Sequence, residues 1–387
     1  MPSDSNRTEN YTGFEQGPIR PPSEAASLLL RLTRNCPWNR CTFCPVYKNS
    51  SFTLRPINHI IKDIQTVSRH VDRLRAAQKG DVIPRSELSM LLDQTEAGDM
   101  EAFHAAITWV QNGMHSIFLQ DANSLILKPS DLIIILDQIK SCFPWVQRIT
   151  SYARSHTVSR ISDEDLIKIR QAGLSRIHIG MESGSDKVLE KIKKGCTKAM
   201  HIKAGIKVKQ AGMELSEYVI PGLGGVELST EHALETADAL NRINPDFIRL
   251  RTLAIPGHVE LYEDYQSGRF DKASDVLVAK EILLLLEHLE GITSTVKSDH
   301  ILNLFQDIEG CYPKDKERMT GIIRSFLVLS PEDQMLVQVG RRMGMLRSEE
   351  DQANPDKMNH IRQTCAAHGI TPDTVNEVID DIMRRFI

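Results

Sequence analysis

From residue 115 onward, short apolar stretches (HSIFLQ, QRITSY, SRIHIGM, ELSEYVI, DFIRLRTL) alternate with amphipathic helical text. Alternation kept up over roughly 230 residues requires parallel strands joined by right-handed helical crossovers. An earlier apolar run at 27–33, SLLLRLT, adds a first strand, which brings the count to six βα units. Six are too few for the closed eight-unit barrel. The expected fold is therefore α/β, a partial (β/α)6 barrel, rather than a flat doubly wound sheet. No G-x-G-x-x-G precedes a helix, which argues against a dinucleotide site.

Around this frame the chain divides into three. Residues 1–25 are polar and proline-rich (GPIRPPSE) and read as a loose arm. Residues 26–290 form the barrel, with a helical insertion over about 72–112 where Gly80, Pro84 and Gly98 interrupt the pattern. Residues 291–387 read as a helical C-terminal extension, opened by one last short strand, TSTVKS, and continued by ILNLFQDIEG, MTGIIRSFLVL and VNEVIDDIMRRF. Ile57, Ile60, Ile61, Ile64, Val67 and Val71 recur at helical spacing. Ser162 and Asp165 form a capping box, and Gly173 closes that helix. Gly195 and Gly212 suit the same stop role, and Ser229 suits a start.

The loop after the first strand holds Cys36, Cys41 and Cys44, spaced C-x4-C-x2-C. Three thiolates on one short loop can hold three corners of an iron–sulfur cube. Pro45 follows and no fourth cysteine lies nearby, so one iron stays open for chemistry. A structural zinc site needs four ligands. Here no histidine precedes His59 and no second C-x2-C exists. Disulfides need an oxidising compartment, whereas the chain opens on a polar segment unlike a signal peptide and has seven cysteines, an odd number. Cys142, Cys196, Cys311 and Cys365 are scattered singly and read as small buried residues rather than an auxiliary cluster.

Composition narrows the partners. The net charge is −4, from 47 basic and 51 acidic residues, without the electrostatic footprint of a nucleic-acid binder. The longest apolar runs, 132–136 and 282–286, are far too short to span a bilayer. A cytoplasmic, reducing location is expected, where an exposed cluster survives.

Taken together, the cysteine loop, the missing fourth ligand and the six βα units resemble the radical S-adenosylmethionine (radical SAM) superfamily over roughly residues 25–260. The first cysteine gap is one residue longer than the commonest family pattern. The resemblance implies an open-site [4Fe–4S] cluster on Cys36, Cys41 and Cys44 and S-adenosylmethionine as cofactors. It implies Phe43 beside the adenine. It sets Asp121 or Asn123 where many members hold the methionyl amino group with Gly-Gly-Glu. Arg154 would meet the methionyl carboxylate, with Lys194 as a second carboxylate partner. Glu182, within Gly180-Met181-Glu182-Ser183-Gly184, would accept from the ribose hydroxyls, and Ile220–Gly225 would line the adenine. Read without the family, Asp121 and Asn123 suit a turn, Glu182 and Ser183 a helix cap, and Lys194 a helix C-terminus.

The activity implied is reductive cleavage of S-adenosylmethionine to a 5′-deoxyadenosyl radical that abstracts hydrogen from an unidentified substrate. A flavodoxin or ferredoxin would supply the electron. A cobalamin domain, the extra cysteine of porphyrin-oxidising relatives (Pro45-Val46 stands there) and the basic domain of RNA-modifying relatives have no counterpart here. The alternatives are a non-catalytic iron–sulfur carrier or sensor and a zinc-stabilised α/β binding module. Arg249 and Arg251 alternate on one strand and face one side, either gripping an anion or lying solvated. Pro256-Gly257-His258 follows that strand. Ser298-Asp299-His300 is expected to precede a helix, entering the site or, through Ser298, capping it.

Overall fold

The computed structural model describes residues 10–80 and 82–384, and each apolar stretch singled out above forms a strand. β1 (Leu28–Arg31) leads into the two-residue strands β2 (Thr33–Arg34) and β3 (Thr53–Leu54), which pair with each other and bracket the cysteine loop. The others are β4 (Ser116–Gln120), β5 (Arg148–Ala153), β6 (Leu174–Glu182), β7 (Glu214–Val219), β8 (Phe247–Leu250), β9 (Thr295–Lys297) and β10 (Glu309–Cys311). One sheet runs β1-β4-β5-β6-β7-β8-β9-β10. Pairing is parallel from β1 through β9 and antiparallel between β9 and β10. Among the described residues β1 and β10 do not pair with each other, so the barrel stays open.

Period-two alternation sorts each strand into an outer and an inner face. Ile177, Ile179 and Met181 of β6 join the apolar layer under the helices. On the inner face Phe118, Tyr152, His178 and Tyr218 meet in turn, with ring centroids 5.1 Å (Phe118–Tyr152), 5.9 Å (Tyr152–His178) and 5.9 Å (His178–Tyr218) apart. At the N-terminal end Glu24 plugs the bore. It accepts from Ser27 Oγ at 2.6 Å and lies 3.5 Å from His178 Nε2. Burial opposes its ionisation, but His178, Ser27 and Arg148 still hold its carboxyl below the usual range.

The crossovers are α1 (Ile57–Ala76), α2 (Arg85–Asp93), α3 (Met100–Gln111), α4 (Pro129–Cys142), α5 (Ser155–Val158), α6 (Asp163–Ala172), α7 (Asp186–Lys191), α8 (Lys198–Gln210), α9 (Ser229–Ile243), α10 (Glu260–Gln266) and α11 (Asp275–Glu287). The capping box forms as read: Ser162 Oγ accepts from the Asp165 amide at 3.0 Å, and Gly173 closes the helix at φ 126°. Ser229 does begin α9, but its hydroxyl donates to Glu281 instead of capping.

Three expectations change. The stretch read as an insertion is half core, because α3 buries Phe103, Ala106 and Trp109, and Trp109 Nε1 donates to the Ser116 carbonyl at 2.9 Å. The arm, of which residues 1–9 lie outside the described residues, is docked rather than loose. Phe14 is buried, Glu15 pairs with Arg31, Arg34 and Arg55, and the Gln120 side chain bonds the backbone of Gly17 and Ile19. ILNLFQDIEG forms turns and then β10, not a helix. Leu304, Phe305 and Ile308 reach the core at a spacing that a helix would also suit, but the Asn303 side chain is taken by the Leu250 carbonyl and the Thr252 amide and the segment runs on into β10.

α12 (Lys316–Leu327) packs into the main core through Met319, Ile323 and Phe326. A second, smaller core joins α13 (Pro331–Arg342), α15 (Pro355–Ala367) and α16 (Val375–Arg384) through Leu336, Val339, Ile361 and Ile379, with α14 (Glu349–Gln352) between them. No helix among the described residues is long and apolar enough to cross a membrane.

Candidate active site

The cysteine loop lies at the C-terminal mouth of the barrel, the end at which such barrels place their chemistry. Backbone bonds hold it at two points: the Thr42 amide donates to the Ile192 carbonyl, and the Leu261 amide to the Thr42 carbonyl, both at 3.0 Å. Trp38 adds a third, its Nε1 donating to the Lys193 carbonyl at 2.7 Å. The Trp38 indole lies against Gly195, where φ is +72° and a Cβ would come within 2.3 Å of the ring. The guanidiniums of Arg40 and Arg154 stand 5.1 and 5.0 Å from that ring. Gly195 thus receives the cysteine loop as well as ending a helical segment. Trp38 escaped the sequence reading, although a tryptophan between two cysteines was its available signal.

All three cysteines are free and partly buried. Burial pushes the Cys41 thiol up against the pull of Lys194 and Arg154, and Cys36 pushes it the same way. Cys44 is raised by burial and by Cys41. Among the described residues, no three His, Cys, Asp or Glu side chains converge as a finished metal cage. The donor set still fits an iron–sulfur cube with one open iron: three soft thiols on one anchored loop, close enough to sense each other's charge, with cations alongside.

Asp121 and Asn123 follow β4, and both are fully buried and engaged. Asp121 Oδ2 pairs with Arg31 at 2.9 Å and accepts from the Asn35 amide, and Oδ1 takes the Tyr47 hydroxyl. Asn123 Oδ1 accepts from the Arg154 amide at 3.0 Å, and its Nδ2 donates to Thr157. Both therefore fix the loops around the mouth. Arg154 reaches across to the Lys194 carbonyl at 2.6 Å.

Glu182 and Lys194 form an ion pair at 2.8 Å, each about one-eighth exposed (13% and 12%). Burial works against the Lys194 ammonium, yet Glu182 and the nearby thiols keep it charged beyond the ordinary lysine range. Ser185, rather than Glu182 or Ser183, caps α7 by accepting from the Val188 amide. Phe43 packs into an apolar cluster with Ile192, Ile220, Leu223 and Leu261, so the turn read as adenine-lining and the aromatic of the cysteine loop share one wall.

That turn is tied down by Glu281 of α11, a residue without a sequence signal. Its Oε1 accepts from the Gly222 amide at 2.7 Å, its Oε2 takes the Ser229 hydroxyl at 2.6 Å, and His232 Nδ1 lies 3.0 Å away. Glu281→Ala would leave a buried amide and hydroxyl unpaired. It is expected to lower unfolding stability by about 2–4 kcal/mol in denaturant titration, with Glu281→Gln losing less.

Cys196 also stands at this mouth, its Sγ 3.2 Å from His201 Nε2, while His201 Nδ1 meets Ser155 Oγ at 2.6 Å. Burial raises the Cys196 thiol to about 11. Of the four cysteines read as buried, only Cys365 is; Cys142 and Cys196 are half-buried and Cys311 is exposed. Full burial, with Lys194 and Arg154 nearby, lowers His201 from 6.5 to about 3. A depressed histidine contributes stability that is present above its unfolded value and lost as pH falls below it. The wild-type melting temperature is therefore expected to drop between pH 6.5 and 4 more steeply than that of His201→Asn.

Arg249 and Arg251 both turn inward and share Asp299, at 2.5 and 3.0 Å. No helix follows Asp299, and Ser298 accepts from Asn303 Nδ2 at 2.9 Å instead of capping. Burial lowers the His300 imidazole to about 4, with Arg251 adding to the effect, so it is neutral at pH 7.

Residues 99–237 match the Radical SAM superfamily. That span holds Asp121, Asn123, Arg154, Glu182 and Lys194 and begins downstream of the cysteine loop. Similarity also extends to the tRNA uridine(34) acetyltransferases of Methanocaldococcus infernus, 24% identical over 110 residues, and Methanocaldococcus jannaschii, 23% over 113. Each alignment covers 28% of this chain, and the chain spans only about a fifth of these relatives (21% and 20%). Among solved structures, methylornithine synthase aligns at TM-score 0.43 and 14% identity, covering 71% of this chain and 66% of that one. Coproporphyrinogen III oxidase from Escherichia coli aligns at 0.44 and 13%, covering 68% and 52%. Residues 99–237 thus carry the match to the radical SAM superfamily, a family of enzymes whose cofactors are a [4Fe–4S] cluster and S-adenosylmethionine.

Proposed function

We propose that Cys36, Cys41 and Cys44 hold the cluster and that S-adenosylmethionine lies between their loop and the Glu182–Lys194 pair. One observation carries this reading: Trp38 and Thr42 bolt the cysteine loop to residues 192–195, directly beside Lys194. When bound, the two cofactors supply reductive carbon–sulfur cleavage and a 5′-deoxyadenosyl radical that takes hydrogen from a substrate. The protein's share is positioning. Glu182 is offered to the ribose hydroxyls, Phe43 and the 220–225 turn to the adenine, and Arg154 to the methionyl carboxylate. Asp121 and Asn123 act through the loops they fix. A flavodoxin or ferredoxin supplies electrons, and a cytoplasmic location keeps the thiols reduced.

The relatives named for tRNA set one alternative substrate, against which the net charge of −4 weighs. Wild-type protein, reconstituted anaerobically with iron and sulfide and then reduced, is expected to form 5′-deoxyadenosine only when S-adenosylmethionine is present. A brown cluster without that product would favour a non-catalytic carrier, and zinc in place of iron would sink both readings.

A further inference from the structure

Two guanidiniums and one carboxylate meet where β7 and β8 reach the mouth, which leaves one positive charge uncompensated. Arg249 is spent: its Nη1 pairs with Asp299, its Nε donates to Ser216 Oγ at 3.2 Å, and its side chain is 4% exposed. Arg251 is not. Its Nη1 serves Asp299 and the Leu250 carbonyl, whereas Nη2 is buried with no hydrogen-bond partner. A buried guanidinium N–H left without an acceptor is costly unless a ligand supplies one.

Beneath it lies Tyr218, its ring centre 4.7 Å from the guanidinium carbon. Tyr218 is 8% exposed, and its hydroxyl faces the Arg251 guanidinium. A buried guanidinium edge short of acceptors thus carries one excess charge. His300, also near Arg251, is neutral and adds none. Glu182 pairs with Val219 of β7 and the Arg251 amide donates to the Val219 carbonyl, so Arg251 stands along the same rim as the Glu182–Lys194 pair, with β7 between them. Arg154 follows β5, further along that rim, stacked on Trp38.

We infer that Arg251, with Tyr218 below it and Arg249 and Asp299 setting its position, binds a carboxylate of the substrate. A singly charged carboxylate matches the excess of one positive charge, whereas a phosphate dianion would leave the site overcharged. The substrate is accordingly an acid, bound with its carboxylate on the β7–β8 side of the mouth and its reacting carbon toward Glu182. This deepens the proposed function and rests on it for the position of S-adenosylmethionine.

The test uses acetate as probe on anaerobically reconstituted protein, read by saturation transfer to the acetate methyl resonance. Wild type is expected to bind acetate, Arg251→Gln about tenfold more weakly, and Tyr218→Phe more weakly than wild type. Arg269→Gln, on an exposed pair with Asp264, is expected to match wild type. Tyr218→Phe keeps the ring under Arg251 and carries the test should Arg251→Gln melt early. Acetate binding that persists when S-adenosylmethionine is added supports a substrate site. Strict competition with S-adenosylmethionine would assign the site to the cofactor and overturn the inference. So would acetate binding indifferent to Arg251 and Tyr218, or inorganic phosphate displacing acetate at a tenth of its concentration. Formation of 5′-deoxyadenosine by the same preparation shows separately whether the radical SAM reading stands.

Discussion

Cys41→Ala protein, reconstituted and reduced alongside wild type, is expected to make 5′-deoxyadenosine only at the level of a no-enzyme control. Three thiolates are the minimum that holds the cube with one iron open, and no other cysteine of the loop can substitute for the lost one. The loss is expected in chemistry and not in folding. Cys41 belongs to neither the main nor the smaller apolar cores, and its loop is held by Trp38, Thr42 and the Lys48 bond to the Cys41 carbonyl at 2.8 Å. Those contacts survive an alanine. Iron content, the visible absorbance of the cluster and product formation should fall together while the melting temperature of the apoprotein stays near wild type. Cys142→Ala, which removes a half-buried thiol that accepts from Gln138 on α4, should retain iron and product. Equal iron in both variants would sink the assignment of Cys41 as a ligand.

Gly195→Val should lose the cluster by another route. A β-branched residue at φ +72° is strained by about 1–3 kcal/mol, and its Cβ would lie 2.3 Å from the Trp38 ring. The indole cannot stay, so the Lys193 bond and the stacks with Arg40 and Arg154 go with it. The cysteine loop then loses its grip on the wall that carries Lys194. Iron bound after reconstitution is expected to fall at least severalfold, with a smaller loss of overall stability, because Gly195 belongs to none of the three apolar cores. A double-mutant cycle isolates the contact: Gly195→Ala should cost less iron in a Trp38→Ala background than in wild type. Full additivity would show that Trp38 and Gly195 act independently.

Much of the fold was legible because its signals are local. The short apolar runs at 116–120, 148–153, 174–182 and 214–219 became strands at those places, and the S-x-x-D box at Ser162 capped its helix. Errors arose where burial overrode local polarity. The proline-rich text of 10–24 reads as an arm, yet Phe14 and Glu24 are buried because strand ends and arginines await them. Ser298 has the chemistry of a cap, but Asn303 takes its hydroxyl. At the site, residue types were readable and their division of labour was not. Asp121 is a carboxylate at the right strand end, and only the packed structure shows it already occupied by Arg31 and Tyr47.

The sequence by itself determined the order of strands and helices, the parallel sheet that follows from it, and the loop on which three cysteines stand. Each of these depends on neighbours within a few residues or on a repeating period. Tertiary structure decided which walls face that loop. Trp38 finds Lys193 across 155 residues of chain, Gly222 finds Glu281 across 59, and Arg249 finds Asp299 across 50. No periodicity encodes such meetings, because they join side chains through space after the sheet has curled. The excess charge at Arg251 exists only there, since it depends on one aspartate being shared between two arginines.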